Sequence, residues 1–204
     1  MSSLSLTATA GVITFNGLAG TNMPGNSGVQ DAYGAGNQTY FHNGYTAQVD
    51  GFNFSDSFVM MVTPPNAKDP DGSSGTAWNG TDYLVAYNLT MSSSNATPFS
   101  VESIDLTSWG GDTFINLTGF KTDGSTVYTR IIDTTSKQSV ANDFTTYALS
   151  GYSDLNRLVI ATSISFIAID NIKVTTASDV PEPASLAILG LGLAGIGAAR
   201  RRRK

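Results

Sequence analysis

The chain has 204 residues, no cysteine, one histidine and a formal charge of −5, so disulfides, thiolate metal centres and a three-histidine zinc site are excluded. Only 13% of residues are charged and glycine is abundant, at 21 residues, a composition that fits an all-β exported domain better than a cytosolic helical one.

Met1 to Ala10 lacks the basic n-region and the apolar run of a complete secretory leader, yet Ala8-Thr9-Ala10 has the small-x-small form of a cleavage site. The expectation is that residues 1–10 are the remnant of a longer signal peptide and that the mature chain starts near Gly11. Gly11 to Phe15 reads as a first strand. Leu18 to Asn43 is rich in Gly and Asn and holds no sustained period, so it reads as a loop region with short strands, one around Gln38 to Phe41. Within Gly51 to Thr63, the β-leaning run Phe58 to Val62 is ended by Pro64-Pro65, which cannot continue a ladder. Pro64 to Asp82 is a second polar loop. Beyond it, strand-like runs follow at Tyr83 to Met91, Phe99 to Ser108, Thr113 to Phe120, Thr126 to Asp133, Phe144 to Ser150, Asn156 to Thr162 and Ile164 to Thr175. The apolar phase changes between Val101 and Ile104, which predicts a bulge in that strand. About eight to ten antiparallel strands over residues 11–175 predict an all-β domain, a two-sheet sandwich of jelly-roll type. Residues 176–179 form a linker.

The chain ends on a three-part segment at 180–204. Val180, Pro181, Glu182 and Pro183 are followed by Ala184 to Ala199, which carries no charge and one polar side chain, Ser185. Arg200, Arg201, Arg202, Arg203 and Lys204 close the chain. As a helix the apolar run would reach about 24 Å, short of the roughly 30 Å hydrocarbon core. The basic stop would stay on the cytoplasmic side and leave everything before it outside. With this tail set aside, Met1 to Asp179 keeps six basic and fifteen acidic side chains, a charge of −9. Nucleic acid is a poor partner for such a surface, which suits solubility outside the cell.

The order of motif, short hydrophobic helix and basic end resembles the PEP-CTERM sorting signal of Gram-negative bacteria. That resemblance implies processing by a membrane enzyme of the exosortase class, transient membrane anchoring through the C-terminal segment, and delivery to the cell surface or extracellular matrix. The latter half of the domain is similar to the β-sandwich domains that commonly precede this tag, through Ser103 to Leu106, Thr118 to Phe120 and Ile169 to Ile172. The last of these also looks like the closing strand of jelly-roll carbohydrate-binding modules.

Asp170 falls in phase with the apolar positions Phe166, Ala168, Ile172 and Val174, and a buried carboxylate must be paired, hydrogen-bonded or metal-bound. The resemblance to jelly rolls implies a structural calcium at Asp170; the competing expectation is a carboxylate that accepts hydrogen bonds from a loop or the first strand. No other cofactor is called for. Asp69, Asp71 and Asp82 do not have the spacing of an EF-hand and read as a solvated acidic loop. His42 sits in a turn-like setting without a nucleophile elbow. Glu102 is the one Glu outside the tail, so a glycosidase pair would need Asp partners. Trp78 and Trp109, each next to glycine, are candidate sugar-stacking residues, with capping of the core as the competing role. Together these features predict a non-enzymatic exported surface or matrix protein associated with exopolysaccharide. A carbohydrate-binding module and a surface polysaccharide hydrolase are the alternatives.

Overall fold

Alternation of apolar and polar side chains is realised as strand after strand. A computed structural model of the chain describes residues 8–18, 29–30, 39–42, 46–56, 59–63, 80–109, 113–133, 144–163 and 166–177. The first strands are β1 (Ala8–Ile13), β2 (Val29–Gln30), β3 (Thr39–His42), β4 (Thr46–Val49), β5 (Phe52–Asp56) and β6 (Val59–Thr63). They are followed by β7 (Tyr83–Ala86), β8 (Asn88–Ser93), β9 (Phe99–Trp109), β10 (Thr113–Lys121) and β11 (Thr126–Asp133). The last are β12 (Thr145–Ala148), β13 (Leu155–Thr162) and β14 (Phe166–Ala177). The sheet that they form lies in a unit spanning Ala10–Thr176; a second unit comprises Met1–Thr9 and Ala177–Lys204, of which residues 8, 9 and 177 are described. Of the linker expected at 176–179, Thr176 and Ala177 instead end β14, and residues 178–179, the hydrophobic helix and the basic stop lie outside the described residues.

The expected pair of sheets takes the form of one curled antiparallel sheet with two halves. One half runs β2-β3-β6-β7-β14-β9, with β1 on β14 and β12 on β9; the other runs β4-β5-β8-β13-β10-β11. The halves meet through β9 and β13 at one residue pair, Leu155 with Phe99. That single bridge makes the sheet continuous, while the two halves face each other across the core. Phe52 of β5 meets Phe99 of β9 edge to face at 5.2 Å, and Phe15, just after β1, meets Phe54 at 5.5 Å. Leu89, Met91, Ile115, Leu117, Leu158 and Ile160 from one half, and Ile104, Leu106, Ile167 and Ile169 from the other, complete a single buried cluster.

Several departures from the sequence reading have local causes. Tyr83 to Met91, expected as one strand, is two strands broken at Tyr87, where the chain crosses from one half to the other. The buried carboxylate of Asp56 holds that crossing, accepting from the backbone N–H groups of Tyr87 at 2.6 Å and Asn88 at 3.1 Å. The hairpin β4–β5 went unread. Its turn is Asp50-Gly51, with φ of 49° and 80°, both in the left-handed region that a two-residue type I′ hairpin needs. The bulge expected near Val101 is present: Val174 pairs with Val101 while Lys173 pairs with Ser103, so Glu102 is the extra residue. Gly119 is the most tightly surrounded of the described glycines. A Cβ there would lie 2.7 Å from Val127 Cγ1 and 2.8 Å from Leu155 Cδ2.

Candidate functional site

The first polar constellation lies on the face of β14 and β9 that points away from the main core. Ile167 and Ile169 enter the main core, so Ala168 and Asp170 face the opposite way, beside Val85, Thr107 and Asp105. The period-two pattern predicts Asp170 on the same face as Ile172 and Val174, whereas it lies on the opposite face of β14. A second bulge follows Asp170, with Asn171 at φ 46°, and it shifts the phase so that Ile172 and Val174 re-enter the core. Asp170 is nevertheless fully buried, because this outer face has its own small apolar cluster of Tyr83, Val85 and Ala168, packed by Phe144 and Phe166.

Asp170 Oδ2 accepts from the hydroxyl of Thr81 at 2.8 Å, and Oδ1 accepts from the N–H of Asn171 at 2.8 Å. Its cross-strand neighbour Asp105 accepts from Asn171 Nδ2 at 2.9 Å and from the hydroxyl of Thr146 at 2.5 Å. Two carboxylates directly opposite would repel, and Asn171 bridges them by giving one donor to each. Thr107 Oγ1, buried on the same face, has no hydrogen-bond partner among the described residues. Calcium takes six to eight oxygens. Among the described residues no group of three or more His, Asp or Glu side chains is placed to hold a metal.

Glu102 lies elsewhere, exposed at the β9 bulge. Its carboxylate meets Lys173 Nζ at 2.7 Å and the Thr175 hydroxyl at 2.8 Å. The hydrogen bond from Lys173, then that from Thr175, holds it below the usual carboxylate range, the opposite of what a general acid needs. The sugar-stacking candidates are not brought together by any described contact: Trp78 lies outside the described residues, and Trp109 ends β9 with its side chain outside them. Asp69, Asp71 and the tail residues Val180 to Pro183 and Arg200 to Lys204 also lie outside. Asp82 precedes β7, and His42 ends β3 with its side chain outside the described set.

A second constellation was not singled out from sequence. It is the outward face of β11-β10-β13. Tyr128 and Ile132 on β11 are 59% and 63% exposed. The Tyr128 hydroxyl donates to Asn116 Oδ1 at 2.6 Å. Arg130 lies over the ring of Phe114, 4.1 Å from its centroid, and Arg157 over Phe120 at 3.9 Å. The signal was available: in Thr113 to Phe120 the core takes Ile115 and Leu117, which leaves Phe114 and Phe120 on the solvent side.

Fold and tail together define an all-β domain followed by a C-terminal sorting segment. Residues 179–203 match the family model of the PEP-CTERM protein-sorting motif, so the chain carries that motif. No curated protein matches the chain. Among solved structures, the chain is similar to a family 29 carbohydrate-binding module, a CBM29-2 mutant made to probe ligand recognition. Identity is 12% and the TM-score 0.36, over 87% of this chain and 99% of that one. It is also similar to the enzymatically active domain of tailspike protein 4 of bacteriophage CBA120. There identity is 13% and the TM-score 0.26, over 68% of this chain and 19% of that one. Similarity at these levels carries no inference about ligand or activity.

Proposed function

We propose that this is a non-enzymatic exported protein of a Gram-negative bacterium. An exosortase-type membrane enzyme processes it at the tail, and it resides at the cell surface or in an exopolysaccharide matrix. The observation that carries the reading is the three-part tail: Val180 to Pro183, the uncharged Ala184 to Ala199 and the basic Arg200 to Lys204, coincident with the matched residues 179–203. A short apolar run with a basic stop holds a chain in the membrane for a limited time, and the motif before it offers a processing site outside. Fractionation of cells expressing the native chain tests this. Pro181→Ala, Glu182→Ala and Pro183→Ala together should leave a larger, membrane-held species where the native chain yields a smaller one at the surface or in the medium. Identical size and distribution of the two would overturn the reading.

The carbohydrate-binding alternative gains an observation in the exposed aromatic and basic face of β10, β11 and β13. The hydrolase alternative gains none, since Glu102 is committed to Lys173 and Thr175. Calcium at Asp170 remains part of the proposal as a structural element only, and metal removal tests it.

A further inference from the structure

The strands of one half of the sheet carry acidic residues only at two strand ends, although Asp50, Asp123 and Asp154 flank them in turns. Fifteen acidic side chains precede the tail, yet residues 46–49, 52–55, 88–93, 113–121, 126–132 and 155–162 contain none. Those stretches are the six strands of the β4-β5-β8-β13-β10-β11 half, with Asp56 and Asp133 confined to strand ends. Two of the domain's six basic residues, Arg130 and Arg157, are exposed on this half. Neither makes an ion pair among the described residues; the guanidinium carbon of each lies over a phenylalanine ring. A cation held over a ring keeps its N–H donors available to a ligand and loses less rotamer freedom on binding.

We propose that this outward face binds an acidic polysaccharide, with Arg130 and Arg157 each receiving a carboxylate or comparable anionic substituent. The inference rests on the matrix reading above and gives that reading a binding surface and a ligand class. Register sets the spacing. Arg130 pairs with Asn116 and Phe120 with Arg157, four residues and two strands apart, so the two Cα positions are about 16 Å apart at ~3.3 Å per residue and ~4.8 Å per strand. That separation lets both arginines reach one extended acidic chain several sugars long. Tyr128 presents an exposed ring between the two arginines for the apolar face of a pyranose. Asn116, Thr118, Thr90 and Asn53 lie along the same outward face with amides and hydroxyls for sugar hydroxyls.

The test is affinity electrophoresis of the full chain, kept in non-ionic detergent, through gels containing polygalacturonate, neutral dextran or single-stranded DNA. Arg130→Gln/Arg157→Gln, Tyr128→Ala and Lys173→Gln are run beside it, and circular dichroism establishes that each variant is folded. Polygalacturonate should retard the native chain, less so as salt rises, and dextran should not. The double arginine variant should lose at least about tenfold in affinity, as expected for charge-assisted hydrogen bonds, and Lys173→Gln on the other half should lose little. No retardation, equal retardation by dextran, stronger retardation by DNA, or an unaffected double arginine variant would each overturn the proposal. Self-association removed by the double variant would overturn it in favour of a second copy on this face. Surface fractionation of the same double variant separates the two levels of the argument. Normal processing and export with no polysaccharide binding defeats this inference and leaves the sorting reading standing.

Discussion

Substituting Gly119 by alanine should be among the most damaging one-carbon changes in the domain. The added Cβ would sit 2.7 Å from Val127 Cγ1, 2.8 Å from Leu155 Cδ2 and 3.1 Å from Tyr152 Cδ1, where carbon pairs prefer about 3.5–4.0 Å. Val127 is only partly buried and has room to turn. Leu155 and Tyr152 are buried and locked, the latter by its hydroxyl donating to the Leu117 carbonyl at 2.9 Å. Overpacking of this kind costs about 1–3 kcal/mol. For a domain of this length that lowers the thermal midpoint by about 2–4 °C per kcal/mol, hence about 2–12 °C in all. Thermal melts of Gly119→Ala, Val127→Ala and the double variant measure it, and the double variant should lose less than the sum of the two single losses. A Gly119→Ala midpoint within about 1 °C of the native one would refute the argument that this strand position has no room for a side chain.

Three further outcomes follow from the same coordinates. Asp56→Ala should cost about 2–4 kcal/mol in denaturant unfolding, because it strips charge-assisted acceptors from the buried N–H groups of Tyr87 and Asn88; Asp56→Asn, which keeps one oxygen, should cost less. Burial pushes the Tyr152 hydroxyl above its ordinary value, so the unfolded chain ionises first. Its contribution is full below about pH 10 and declines as pH rises through the raised folded value. Tyr152→Phe should remove that alkaline slope. The calcium proposed at Asp170 predicts that EDTA lowers the thermal midpoint and that added calcium restores it; an unchanged midpoint with no calcium by elemental analysis would leave the carboxylate to its donors Thr81 and Asn171.

Much of the second half was legible because its strands alternate cleanly and end in turn residues. Phe99 to Trp109, Thr113 to Lys121, Thr126 to Asp133 and Leu155 to Thr162 lie within a residue or so of where the pattern placed them. The change of phase at Val101 correctly signalled a bulge. Near Asp170 the same logic failed for a physical reason. Period-two reasoning assumes an unbroken ladder, and the extra residue at Asn171 exchanges the two faces. Burial of both faces over Ile167, Ala168 and Ile169 erased the alternation that would have shown it. The hairpin at Asp50-Gly51 was missed despite its turn signal, since β4 has only four residues and follows a glycine-rich stretch. The outward aromatic and basic face is legible in Phe114, Phe120, Tyr128 and Arg130, which alternate with the core positions Ile115, Leu117 and Ile131.

The strand that runs on into the sorting tail is β14, and it is not at an edge. It is flanked by β9 on one side and by β7 and β1 on the other, with its longest ladder, from Phe166 to Thr176, on β9. Tension applied through the C-terminus therefore acts along an interior strand and loads many backbone hydrogen bonds in shear together. An edge strand would be peeled away one bond at a time. A pull on the sorting segment thus reaches the sheet through an interior strand.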